Sequence, residues 1–308
     1  MGNVTIETIT YGRWGRAVRL TNGVLELVAS LDFGPRIIRF GFVDGPNFFM
    51  EDAEEAIVQQ GDRFAPVGGG AWKIYGGHRL WTSPEAVPRS TYPDNDPVEW
   101  KEIENGIVLT PPEERWTQLQ KEIEVRMEPA SGEVTVVHRV TNRGAWPVEF
   151  APWALSVMGT GGMAVIPQAK RETGLLANRV LAVWPYSRMN DERVYWGERY
   201  IVLKQGNGPT PFKIGTNNEE GWAGYFNHNS LFLKKYKHER EGCYPDYGVS
   251  FESYVCDHFL ELESLGELRT VQPGQTAVHE EAWSLIADVA APSPSDEKEL
   301  DRLLERYR

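Results

Sequence analysis

Cysteine is scarce. The 308-residue chain has two, Cys243 and Cys256, enough for one bridge, so a disulfide-stapled scaffold is excluded. No CxxC pair or spaced Cys/His set occurs, which argues against structural zinc. Positive charge is also in deficit: 32 Lys+Arg stand against 44 Asp+Glu, a formal net charge of −12. Nucleic acid and anionic membrane surfaces need clustered Lys/Arg, so neither is an expected partner. No apolar run approaches the ~18 residues of a membrane span. The opening MGNVTIETITYGRWG has no signal-type apolar region, and Met-Gly is not followed by Ser or Thr at the myristoylation position. Free thiols and a cytoplasmic location are the expectation. No linker and no fixed-period repeat breaks the chain. We therefore expect one domain over 1–290, with a helix over 291–308 packed on it.

Aromatic and turn-forming residues are plentiful. There are 11 Trp, 12 Tyr, 12 Phe, 30 Gly and 20 Pro, and 41% of the chain is hydrophobic, enough for a large core. The dominant period is two. Leu119, Ile123, Val125 and Met127 alternate with polar neighbours, and Val134, Val136, His138 and Val140 share one face of 133–141, the signature of half-buried antiparallel strands. Asn22-Gly23 between apolar runs predicts a hairpin. Arg36–Phe42, Tyr200–Lys204, Gly221–Phe226, Ser230–Tyr236, Gly248–Cys256, Phe259–Ser264 and Thr276–Ile286 also read as strands. Helical patterning is thin. Glu51–Gln60 is a short candidate. In the tail, Ser293 is the expected cap, Pro294 the first helical residue, and Leu300, Leu303, Leu304 and Tyr307 the buried stripe. Many strands without alternating helices predict an all-β architecture, one large antiparallel sandwich with a short C-terminal helix.

Several stretches carry groups with chemistry. Gly68–Pro97 combines glycines and aromatics with His78, Arg79, Glu85, Asp94 and Asn95. It reads as a loop-rich binding segment, and its glycines fit no phosphate-loop pattern. Glu252 shares a strand face with Ser250 and Tyr254, which suits a sugar because a carboxylate accepts hydroxyl protons or acts as a base. On an ordinary surface strand the same face would simply be solvated. Glu261 and Glu263 also share a face, roughly 6–7 Å apart by strand rise, a spacing like that of glycosidase carboxylates. Lys213 and Asn217 lie in a second polar stretch. Among the tryptophans, Trp72, Trp81, Trp153, Trp184 and Trp222 supply flat faces for core or sugar. His138, flanked by valines, reads as a core histidine. No cofactor is expected, and scattered oxygens leave Ca²⁺ or Mg²⁺ open.

In order along the chain, four features resemble the galactose mutarotase-like (aldose 1-epimerase-like) superfamily, in a bacterial branch. They are the early hairpin Leu20–Phe42 with Gly34-Pro35-Arg36; Tyr75-Gly-Gly-His78-Arg79-Leu-Trp81 with Tyr92-Pro-Asp94-Asn95; Val134–Asn142 followed by Pro147 and Ala151-Pro-Trp153; and Gly248-Val-Ser-Phe-Glu252, then Leu268 through Pro273-Gly274 to Trp283. The resemblance implies a β-supersandwich with the sugar on its concave face, a glutamate base on a late strand and a histidine acid. Glu252 matches the base. Where the family places its acid, this chain reads Ala151-Pro152-Trp153, so His78 is expected to substitute. Arg79, Trp81, Asp94, Asn95, Trp153, Lys213, Asn217, Tyr254, Glu261 and Glu263 are the expected substrate contacts, and Arg79 with Lys213 points to an acidic sugar. The resemblance implies an epimerase acting on a monosaccharide or sugar acid. One alternative is a non-catalytic carbohydrate-recognition protein on the same fold. The other is a glycoside hydrolase or lyase pairing Glu252 with Glu261 or Glu263. The expected partner is a small carbohydrate; oligomeric state is left open.

Overall fold

The computed structural model describes residues 3–208 and 210–305. Two antiparallel sheets account for nearly all of its regular structure. One has eleven strands and the other ten, with a two-stranded ribbon beside them. The expected strands are present. Leu119–Met127 pairs along its full length with Val134–Asn142, and Arg36–Phe42, Tyr200–Lys204 and Ser230–Tyr236 match residue for residue. Asn22 closes the early hairpin by accepting from the amides of Val24 and Leu25.

Three local expectations are corrected. Residues 51–60 form no helix: Glu51 bridges to Gly76, and Val58–Gln59 pairs with Trp72–Lys73. Extended pairing satisfies backbone groups that so short a helix would leave open at its ends. The tail helix runs Glu297–Leu304, and Asp296, not Ser293, caps it by accepting from the Glu299 amide. Leu300 and Leu304 are buried in the core beneath it; Tyr307 lies outside the described residues. The third correction concerns 68–97. It is not loop throughout, because Gly77–Ser83 is a fully buried inner strand.

The eleven-stranded sheet positions the site. Its middle runs Arg36–Phe42, Gly77–Ser83, Val148–Met158, Leu260–Leu265, Phe251–Val255 and Phe212–Thr216. Successive side chains of a strand point to opposite faces, so register sorts these strands into two surfaces. One holds Leu80, Phe251, Leu262, Phe212 and Ile214. With Phe40 of the same sheet and Phe232 and Trp283 of the ten-stranded sheet, they fill the core between the sheets. The other, outer surface holds Arg79, Trp81, Trp153, Leu155, Glu261, Glu263, Glu252, Tyr254 and Lys213. Among the described residues no helix is long and apolar enough to cross a membrane.

Candidate functional site

The outer surface carries a cleft of about 190 Å³. Its lining includes Trp72, Trp81, Trp153, Tyr186 and Tyr254 with Arg79, Lys213, Glu85 and Glu261. Cross-strand register makes it: Leu155 faces Arg79 on one side and Glu263 on the other, Glu252 lies beside Glu263, and Tyr254 lies between Glu261 and Lys213. Trp81 and Trp153 are directly opposed and meet edge to face at 5.4 Å. Trp81 also meets Trp72 at 5.6 Å.

Five charged side chains gather at and beneath the cleft, Arg79 with Glu261 and Lys213 with Glu252 and Glu263. Arg79 Nη2 donates to Glu261 at 2.7 Å, with its guanidinium 4.4 Å from the Trp81 ring centre. Lys213 Nζ lies 2.7 Å from Glu252 and 3.0 Å from Glu263. It also stands 4.6 Å from the Trp153 ring and 4.8 Å from Trp184. Trp153 Nε1 donates to Glu263 at 3.0 Å. Three carboxyl groups thus face two cations, and the surplus carboxyl favours keeping a proton. Burial, reinforced by Glu263 and opposed by Lys213, pushes the Glu252 carboxyl well above the ordinary range. Burial also raises Glu261, against the pull of Arg79. Burial alone would lower the Lys213 ammonium, but Glu252 and Glu263 outweigh it and hold its pKa well above the usual lysine value.

The structure brings Arg79, Trp81, Trp153, Lys213, Tyr254 and Glu261 together around the cleft, with Glu252 and Glu263 behind Lys213. Within the second polar stretch, Lys213 belongs to the Phe212–Thr216 strand. His78 is not brought there, which corrects its expected place beside Glu252. It shares its strand with Arg79 and Trp81 but is one residue out of phase, so it faces the core and is wholly buried. Asp94 pairs with the buried Arg36 at 2.6 Å. Asn95 accepts from Tyr75 and donates to Ala71, while Asn217 fastens the 178–180 segment. Tyr186 lines the cleft and was missed. Its only sequence signal was the aromatic pair flanking a proline in Trp184-Pro185-Tyr186.

The core histidines form a directed chain across the sheets. His138 Nδ1 lies 3.0 Å from the His279 carbonyl, which only accepts. A neutral His138 therefore presents Nε2 as an acceptor, and His78 Nε2–H donates to it across 2.7 Å. His78 Nδ1 then accepts from Ser156, 2.9 Å away. Both rings are held neutral: burial lowers His138 to about 4 and takes His78 well below its usual value. His78, His138 and Glu281 bring ligand atoms within 4.8 Å of one another. Glu281, however, already takes Lys234 at 2.8 Å, Ser264, and Trp283 at 2.8 Å. The cation of this group is Lys234, and the donor set reads as a saturated structural network.

No family model matches the chain, and a search of curated proteins finds no match. Solved structures do match. A galactose mutarotase-like protein from Clostridium acetobutylicum superposes with a TM-score of 0.50 at 9% identity, covering 92% of this chain and 99% of that one. The fold is galactose mutarotase-like. A candidate aldose 1-epimerase from Klebsiella pneumoniae gives 0.56 at 14% identity, covering 92% and 83%. A TPR-domain containing protein from Parabacteroides distasonis gives 0.59 at 11% identity, covering 90% of this chain and 48% of that one. This chain therefore spans about half the length of that protein. At such identities the galactose mutarotase-like likeness is one of fold, and the site speaks through its own geometry.

Proposed function

We propose that this protein binds a carbohydrate in the outer cleft and interconverts its anomers by acid–base ring opening and reclosure at the anomeric carbon. The observation carrying this reading is the buried set of three carboxyls on two cations beneath a cleft walled by tryptophans. Aromatic faces pack against the apolar faces of a sugar ring, and the surplus proton supplies acid–base chemistry near neutral pH. Glu261 lines the cleft and takes the anomeric hydroxyl proton. Lys213 gives a proton to the ring oxygen as the C1–O bond opens, and Glu252, in contact with Lys213, replaces it. Ring closure on the other face of the aldehyde runs the same transfers backwards, so every proton is returned.

A second reading, recognition without turnover, is favoured by one specific observation. Glu252 is 1% exposed and stands behind Lys213, so that among the described residues lining the cleft there is neither Glu252 nor a histidine. Anomer exchange followed by proton NMR across neutral, acidic and amino sugars separates the two. The enzymatic reading predicts exchange slowed roughly 10²–10⁴-fold in Glu261→Gln and Glu252→Gln. Saturable binding with no exchange in the native protein supports recognition alone. Exchange that neither substitution slows overturns the proton assignment.

A further inference from the structure

A second cavity lies beside the first, and one side chain lines both. It measures about 230 Å³ and is lined by Trp81, Tyr92, Asp94, Asp96 and Lys121, with the 111–115 segment closing its far side. Trp81 lines this cavity and the cleft alike. Its ring is fixed from several directions: Arg79 lies against it, Trp153 meets it edge to face, and Trp72 abuts it. Tyr92 packs on the same aromatic cluster from the second-cavity side.

The second cavity is also polar in an organised way. Lys121 and Glu114 form a buried ion pair at 2.5 Å on its floor. Asp94 is locked by Arg36 through one oxygen, while its other oxygen, Oδ1, is buried with no hydrogen-bond partner. A carboxylate oxygen left over in this way is an acceptor in want of a hydroxyl. Size makes the same point. Ligand pockets usually hold roughly 300–1,000 Å³; each cavity alone falls short of that range, and the two together fall inside it.

We propose that the two cavities are adjacent subsites for one oligosaccharide, with Trp81 as the partition across which the glycosidic linkage passes. One sugar residue occupies the cleft over Arg79, Lys213 and Glu261. The next lies beyond Trp81 beside Tyr92, with Asp94 and the Lys121–Glu114 pair within reach of its hydroxyls. This rests on the carbohydrate reading of the cleft and extends it to ligand length: the preferred ligand is a disaccharide or longer.

Calorimetric titration of the full chain with matched pairs tests this, using glucose against maltose and cellobiose, galacturonic acid against its dimer, and glucosamine against its dimer. The expected result is at least tenfold tighter binding of one dimer than of its monomer. Glu113→Trp, at an exposed rim position of the second cavity, is expected to erase that gain and leave monomer affinity unchanged. Tyr92→Ala is expected to weaken the dimer at least fivefold and the monomer less than twofold. Monomer binding with no gain from any dimer overturns the second subsite and leaves the cleft reading standing. A dimer gain that survives Glu113→Trp also overturns it. Binding of neither monomer nor dimer overturns both.

Discussion

Glu252 shows how burial turns a common side chain into a special one. Its carboxyl is raised by burial first and by Glu263 second, so between the ordinary glutamate value of 4.5 and its native value the folded state holds a proton that the unfolded state has lost. Stability therefore falls as pH rises through that window. Glu252→Gln removes the titrating group and leaves two carboxylates on two cations. We expect denaturant unfolding between about pH 5 and pH 8 to give a shallower loss of stability for Glu252→Gln than for the native chain. Equal slopes would mean that Glu252 is not the residue holding the surplus proton. At this scale the sequence was partly legible. The face shared by Glu252 and Tyr254 followed from alternation, and so did the common face of Glu261 and Glu263. Alternation does not say which face looks inward, and for His78 that was the whole question.

At the scale of elements, the inner strand Gly77–Ser83 depends on the two glycines that precede and open it. Gly76 has φ of +101°, and a Cβ there would lie 1.9 Å from the Met50 carbonyl oxygen. Gly161 has φ of +83° with nothing within 4 Å of its would-be Cβ. Both positions strain an L side chain, at a cost of about 1–3 kcal/mol, but only Gly76 adds a collision with backbone. Gly76→Ala is expected to lower the thermal midpoint clearly further than Gly161→Ala; equal losses would show that the close approach to Met50 does not matter. The Gly-Gly pair was visible in the sequence, and so was the density of polar and aromatic residues after it. That density resembled a loop because an outer sheet face lined with Arg79 and Trp81 has the composition of a binding loop. The strand was hidden by the composition of its outer face.

Across the whole molecule, the two sheets are joined by a greasy core and by the histidine chain that crosses it. His138 pairs within the ten-stranded sheet, His78 and Ser156 belong to the eleven-stranded one, and the chain ends on the backbone of His279. His138 is lowered from 6.5 to about 4 by burial, so the unfolded chain binds a proton between these values that the native state refuses. Stability from this group is complete above 6.5 and is lost as pH falls toward 4. Acid should therefore part the sheets. We expect near-ultraviolet dichroism, reporting the packed tryptophans, and far-ultraviolet dichroism, reporting strands, to be lost together on acidification below about pH 6. His138→Gln is expected to lessen the acid loss, and an unchanged acid profile in that variant would place the sensitivity elsewhere.

The sequence by itself determined the all-β class, nearly every strand and the candidate carboxylates, because alternation with period two is a local property that a strand writes into its own residues. It also placed a histidine among valines in the core. What only the tertiary structure decided was company. That Lys213 would sit between Glu252 and Glu263, that Arg79 would find Glu261, and that Trp81 would stand between two cavities depend on strands from distant parts of the chain coming into register. Such neighbours are set by sheet order and pairing, which cooperate over the whole fold and leave no mark at short range.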